Sequence, residues 1–159
     1  MAQLSYQEFL DYVEMWVVEN ETKIAKMWPQ KGGWEGWAQA EIKSFILGKN
    51  STFDILREQH VYTSGGKTAD FLLNDSSPVG KKVVVELKCQ SFENYKNFKA
   101  GLENDISKLI KELKPSYSGA ALLVIGIYFT DHTDVPDYFD KKILGEGEVG
   151  ICWAIDLNS

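Results

Sequence analysis

The longest apolar run in the chain, from Ala120 to Phe129 within AALLVIGIYFT, limits the fold more than any other stretch. It is far shorter than the roughly 20 apolar residues that a membrane-crossing helix needs, but it suits a strand. A strand that is apolar at nearly every position, rather than at alternate ones, has to be covered on both faces. The run therefore predicts a central strand with other layers packed on each side of it, and no membrane partner.

A second stretch, KKVVVELKCQ from Lys81 to Gln90, also reads as a strand, but an unusual one. Side chains alternate between faces along a strand, so Val83, Val85, Leu87 and Cys89 share one face and Val84, Glu86, Lys88 and Gln90 the other. The first face is wholly apolar, whereas the second turns into a carboxylate, an ammonium and an amide. Charges are costly to bury unless they are paired or bind a metal. Glu86 and Lys88 are thus either an ion pair at a sheet margin or part of a site.

The remaining elements follow from periodicity. Ser5 with Glu8 forms a capping box ahead of Phe9, Leu10, Val13, Trp16 and Val17, which predicts a helix from about Tyr6 to Val18. Glu21 to Trp28 adds a helical turn or two before Pro29, Gly32 and Gly33 break the chain. Trp34, Trp37, Ala38, Glu41, Ile42 and Phe45 then mark one face of a second helix ending near Gly48, with Glu41 in the middle of its stripe. Glu35, about 100° round from Trp34, is expected to face solvent. Part of Phe53 to Thr63, then Thr68 to Leu73, then Lys81 to Gln90 read as a three-stranded meander, with Asp70 alone among Ala69, Phe71, Leu72 and Leu73. A long third helix is predicted from Phe92 through Tyr95, Phe98, Leu102, Ile106, Leu109 and Ile110 to Leu113, capped by Ser91 and followed by Pro115. Its Lys96, Lys99, Lys108 and Lys111 lie off the apolar stripe and read as a solvated face. Asp131 to Asp140, which holds His132 and four aspartates, is expected to be a solvated loop leading into a short helix, its spacing being unlike that of an EF-hand. Val149, Ile151, Trp153, Ile155 and Leu157 alternate as a last strand.

A chain of 159 residues suits one domain. No basic and apolar leader opens it, and Cys89 and Cys152 lack metal-site spacing, so buried free thiols in a reducing cytoplasm are expected. The net charge is -6, and Arg57 is the one arginine beside sixteen lysines. Arginine is the usual residue for forked phosphate contacts and guanine reading, so extended sequence-specific DNA binding is disfavoured. An acidic total still permits a site whose carboxylates are neutralised by metal.

Helix, helix, meander, long helix, strand: within that order stand Glu41 on a helix, Asp70 in ADFLL, and Glu86-x-Lys88 in VVVELKCQ. In this the chain resembles the PD-(D/E)XK nuclease superfamily. The resemblance covers about Trp34 to Thr130 and departs in having Ala69 rather than proline before Asp70, as many members also do. It implies an α/β fold with a restriction-endonuclease-like αβββαβ core, a mixed central sheet flanked by helices and an extra N-terminal helix. Residues 1–33 would be helical decoration, 34–130 the core, and 131–159 a loop, short helix and final strand of one domain. It further implies a Mg²⁺-dependent nuclease, with Mn²⁺ as substitute, acting on nucleic acid, with DNA favoured over RNA. Asp70 and Glu86 would bind the ion, Glu41 would tie its helix to the metal, Lys88 would orient or help deprotonate water, and Gln90 would position Lys88 or a phosphate. The small size suggests a homodimer or a larger complex. The alternative is a catalytically inactive interaction module on the same fold.

Overall fold

A computed structural model describes residues 2–156, the side chain of Asp156 excepted, so the expected place of Leu157 in the last strand lies outside the described residues. Helix α1 spans Tyr6–Glu19. Ser5 Oγ accepts the Glu8 N–H and Glu8 Oε1 accepts the Ser5 N–H, each at 3.1 Å, which satisfies two of the backbone donors a helix start leaves open. The predicted apolar residues, Phe9, Leu10, Val13, Trp16 and Val17, are its buried ones. A short helix α2, Glu21–Ala25, follows, then α3, Glu35–Lys49.

The face that α3 buries keeps Trp34, Ala38 and Ile42 of the expected stripe but is turned to one side of it. Ala38, Gln39, Ile42 and Ile46 are buried, whereas Trp37, Glu41 and Phe45 are only partly covered. Trp37 misleads because its ring reaches sideways to Trp16 of α1, 5.5 Å between centroids, rather than down onto the sheet.

Six strands form one mixed sheet: β1 Ile55–Gln59, β2 Ala69–Leu73, β3 Val83–Cys89, β4 Ala121–Phe129, β5 Asp140–Leu144 and β6 Val149–Asp156. Their spatial order is β1-β2-β3-β4-β6-β5. β3 and β4 are parallel from Val83↔Ala121 to Cys89↔Ile127, and every other pair is antiparallel. A parallel neighbour requires a crossover, and helix α4, Phe98–Glu112, makes it. The protein is thus an α/β fold with a mixed six-stranded sheet flanked by helices. β4 is central, as its composition requires. Leu123, Ile125 and Ile127 pack with α1 and α3 on one side, and Leu122, Val124 and Tyr128 pack with α4 on the other. Gly126 admits α4 closely, since a Cβ there would stand 3.0 Å from the Phe98 ring.

Two predicted helices differ. The long helix begins at Phe98, not Phe92, because Asn94 organises a turn first. Asn94 Oδ1 accepts the Ser91 N–H at 2.8 Å, and its Nδ2 donates to the Cys89 carbonyl at 3.0 Å. Such local side-chain bonds compete with helix formation, and Phe92 and Ile110 are left exposed. The short helix expected beyond Asp131 is replaced by β5, whose first four residues are exposed. Backbone pairing to β6, from Asp140↔Trp153 to Leu144↔Val149, makes that strand, and no side-chain pattern could have announced it.

The N-terminal segment is tied to the sheet by Asn74, a buried residue at φ 61 just after β2. Its Oδ1 accepts the Leu4 N–H at 2.9 Å, and its Nδ2 donates to the carbonyls of Leu4 and Lys81. Asparagine tolerates this left-handed conformation better than most residues with a Cβ.

Candidate active site at the open end of β2 and β3

β2 and β3 pair at Leu73↔Val83, Leu72↔Val84 and Phe71↔Val85, and the ladder stops there although β3 runs on to Cys89. On its other edge β2 pairs with β1 at Arg57↔Phe71 and Gln59↔Ala69, while the intervening Glu58 turns to φ 53. Asp70 is therefore the residue of β2 without a ladder partner on either side. Alternation directs the N–H groups of Leu87 and Cys89 toward the side that β2 has left, since Gln90 donates the opposite way to the Ile127 carbonyl. Two carboxylates take them. Asp70 Oδ2 accepts from Leu87 at 2.6 Å, and Glu35 Oε2, from the first turn of α3, accepts from Cys89 at 3.2 Å. Gln39, one helical turn beyond Glu35, donates its Nε2 to Asp70 Oδ1 at 2.9 Å and accepts from Arg57.

Glu86 lies on the face of β3 that α4 covers, and it is buried. Tyr62 O–H donates to its Oε1 at 2.6 Å, and Lys108 Nζ stands 3.1 Å from the same oxygen. Tyr62 is held there because its neighbours pair with the end of α4. The Thr63 N–H donates to the Glu112 carbonyl, and the Lys114 N–H to that of Val61, each at 2.8 Å. Lys108 also lies 3.6 Å from Asp105 Oδ1 and 5.0 Å from the centroid of the Tyr62 ring. Asp105 Oδ2 in turn is 3.7 Å from Lys88 Nζ. The stem of Lys88 runs across Gly101, where a Cβ would come within 2.8 Å of its Cε.

Burial raises the carboxyl groups here. Asp70 is pushed up to about 6, first by burial, with the Glu35 and Asp105 charges adding and the Leu87 N–H and a hydrogen bond with Glu86 opposing. Glu86 is pushed up to about 7 by burial and then by the charge of Asp70, against the pull of Tyr62 and Lys108. Glu35 and Asp105 are raised by burial too. Burial alone would lower Lys108, but Glu86 and Asp105 outweigh it and the net displacement is upward. The two central carboxyls thus hold protons more tightly than exposed ones.

No family model, curated protein or solved structure matches this chain.

Of the residues singled out by sequence, Asp70 and Glu86 meet, Lys88 reaches them through Asp105, and two others do not join them. Glu41 is two residues past Gln39, about 200° round α3, and so faces away from Asp70. Among the described residues it makes no hydrogen bond or ion pair with the cluster. Glu35, expected to face solvent, supplies the helical carboxylate instead, because it lies on the same side of α3 as the buried Ile42 and Ile46. Gln90 is fully buried, but its Nε2 donates to the His132 carbonyl and its Oε1 accepts the Phe129 N–H, each at 2.8 Å. The amide therefore brackets the ends of β3 and β4 rather than positioning Lys88.

Sequence reasoning missed Glu35, Gln39, Tyr62, Asp105 and Lys108. Asp105 did leave a signal, since it falls on the stripe Phe98, Leu102, Asp105, Leu109 that α4 buries. Lys108, taken for a solvated side chain, follows it by one turn and pairs inward. Among the described residues no group of three or more His, Cys, Asp or Glu side chains is arranged to hold a metal ion, and no helix is long and apolar enough to cross a membrane.

Proposed function

We propose that the chain is a divalent-metal-dependent nuclease with a restriction-endonuclease-like core, hydrolysing phosphodiester bonds in nucleic acid, with DNA favoured over RNA. The observation that carries this reading is the meeting of Asp70 and Glu86-x-Lys88 where β2 leaves β3, beside α3 and beneath the α4 crossover. The donor chemistry fits Mg²⁺ or Mn²⁺, which take oxygen ligands and, for Mg²⁺, commonly only one or two carboxylates plus water and substrate phosphate. Asp70 and Glu86 are such a pair, joined by a hydrogen bond, with the charge of Asp70 raising the cost of ionising Glu86. When bound, the ion would act as a Lewis acid on the phosphate and lower the pKa of its water.

The chain's own groups do the rest. Asp70 and Glu86 would hold the ion, with Gln39, the Leu87 N–H and Tyr62 fixing the two carboxyls. Lys88, whose stem lies on Gly101 and whose ammonium is drawn to Asp105, would present positive charge to the scissile phosphate and orient the attacking water. Glu35 lies close enough to Lys88 to feel its charge and would help hold it at the mouth of the site.

One observation favours the second reading, a non-catalytic module. Asp70 and Glu35 already serve as acceptors for the two N–H groups that β2 abandons, a structural use that needs no metal. Incubating the protein with single-stranded, duplex and branched DNA and RNA, with and without Mg²⁺ or Mn²⁺, separates the two. Metal-dependent cleavage that drops about 100-fold or more in folded Asp70→Ala and Lys88→Ala is expected. Cleavage that persists in both variants, or is absent throughout, would overturn the nuclease reading.

A further inference from the structure

Four carboxyls and two ammonium groups meet at the site among the described residues: Glu35, Asp70, Glu86 and Asp105, with Lys88 and Lys108. With all of them ionised the group lacks two positive charges, which is the charge of one divalent cation. Lys108 does not belong to the Glu-x-Lys strand pair; it comes from α4, and its shortest ion pair, 3.1 Å, is with Glu86. It is not committed to that pair alone, for Asp105 Oδ1 lies 3.6 Å away and the face of the Tyr62 ring lies beneath it at 5.0 Å.

We propose that Lys108 is the resident counter-ion of Glu86, and that a divalent cation entering between Asp70 and Glu86 displaces its ammonium onto Asp105 and the Tyr62 ring. This rests on the reading of Asp70 and Glu86 as the metal ligands.

The geometry supports a swap rather than a fixed pair. An ammonium and a divalent cation cannot both sit against one buried carboxylate without strong mutual repulsion. Lys108 has somewhere to go, because Asp105 and the ring hold its charge in a partly buried place where a bare ammonium would be costly. Glu86 does not come loose when the pair opens, because Tyr62 O–H still holds the same oxygen. Displaced, Lys108 stays within one side-chain length of the site, where it adds to Lys88 in facing a phosphate. Metal affinity is then set in part by a residue that is not a ligand.

Calorimetric titration of Mn²⁺ into the wild type, Lys108→Met, Lys108→Arg and Asp70→Ala tests this, supported by mass-spectrometric mapping of reductive methylation on the wild type with and without Mn²⁺. Lys108→Met is expected to bind about tenfold more tightly than the wild type, and Lys108→Arg to bind like it. Methylation of Lys108 is expected to rise when Mn²⁺ is added. Wild-type binding that depends on Asp70, together with unchanged or weaker affinity in Lys108→Met, would overturn the swap and leave the metal site standing. Should Lys108→Met not fold, the methylation decides alone, and reactivity indifferent to Mn²⁺ overturns the swap. No Asp70-dependent binding in the wild type would overturn the metal site itself, and the swap with it.

Discussion

Asp70 Oδ2 accepts the backbone N–H of Leu87 at 2.6 Å, so a side chain of β2 stands where the backbone of β2 would otherwise have paired with β3. The carboxyl therefore carries a structural role and a charge, and substitution separates them. Asp70→Ala leaves both the Leu87 N–H and the Gln39 amide without an acceptor, and is expected to cost about 1–3 kcal/mol in urea unfolding. Asp70→Asn retains one acceptor and removes the charge beside Glu86, so at pH 8 it should lie within about 1 kcal/mol of the wild type while abolishing metal binding. Equal stability of the two variants would mean that the ladder role is negligible.

Asp70 and Glu86, pushed up to about 6 and about 7, dictate how stability varies with pH. Folded-state values above those of the unfolded chain mean that the folded protein binds more protons between about pH 4 and 7. Stability is then greatest at the acid end of that range and falls as pH rises through 6 and 7. Glu35 and Asp105 act in the same direction, whereas raised Lys108 matters only in alkali. Without divalent metal, the loss from pH 5.5 to 8 should be on the order of 1–3 kcal/mol, read as a fall in melting temperature. Saturating Mn²⁺ should flatten that slope, and a melting temperature that climbs with pH would refute the buried acidic pair.

Gly101 offers a substitution in which stability and function part company. Alanine in a helix interior is intrinsically favoured over glycine by about 0.5–1 kcal/mol, and the atoms its Cβ would displace are the flexible Cδ and Cε of Lys88. Gly101→Ala should melt no lower than about 1 kcal/mol below the wild type. Cleavage should fall by about tenfold or more, because Lys88 is pushed from its place. Unchanged cleavage would show that the position of Lys88 is unimportant.

Gln90 and Glu41 should behave oppositely to what their places in the sequence suggest. Gln90→Ala leaves the partly buried N–H of Phe129 and carbonyl of His132 without their side-chain partner, a cost of about 1–3 kcal/mol in chemical unfolding, with the Mn²⁺ affinity of the folded protein unchanged. Glu41→Ala should alter both stability and Mn²⁺ affinity negligibly, within about 0.5 kcal/mol. A loss of affinity in Glu41→Ala would return the helical acid to the site.

The sequence by itself determined the strand that had to be central, since AALLVIGIYFT satisfies no other environment, and the capped first helix, whose box is a purely local pair of hydrogen bonds. It also singled out Asp70 and Glu86-x-Lys88, because charges within apolar strands are costly and therefore conspicuous. Tertiary structure alone decided which helical acid joins them. A helix stripe can be rotated by about a quarter of a turn when a large ring such as Trp37 packs sideways, and that rotation exchanged Glu41 for Glu35 and Gln39. Tertiary structure likewise assigned Gln90 to the backbone of β4, made β5 from residues with no strand pattern, and turned Lys108 inward to Glu86. Period and composition record how each residue relates to its chain neighbours. They carry no record of where one strand leaves another, and it is at that parting of β2 and β3 that the acidic groups gather.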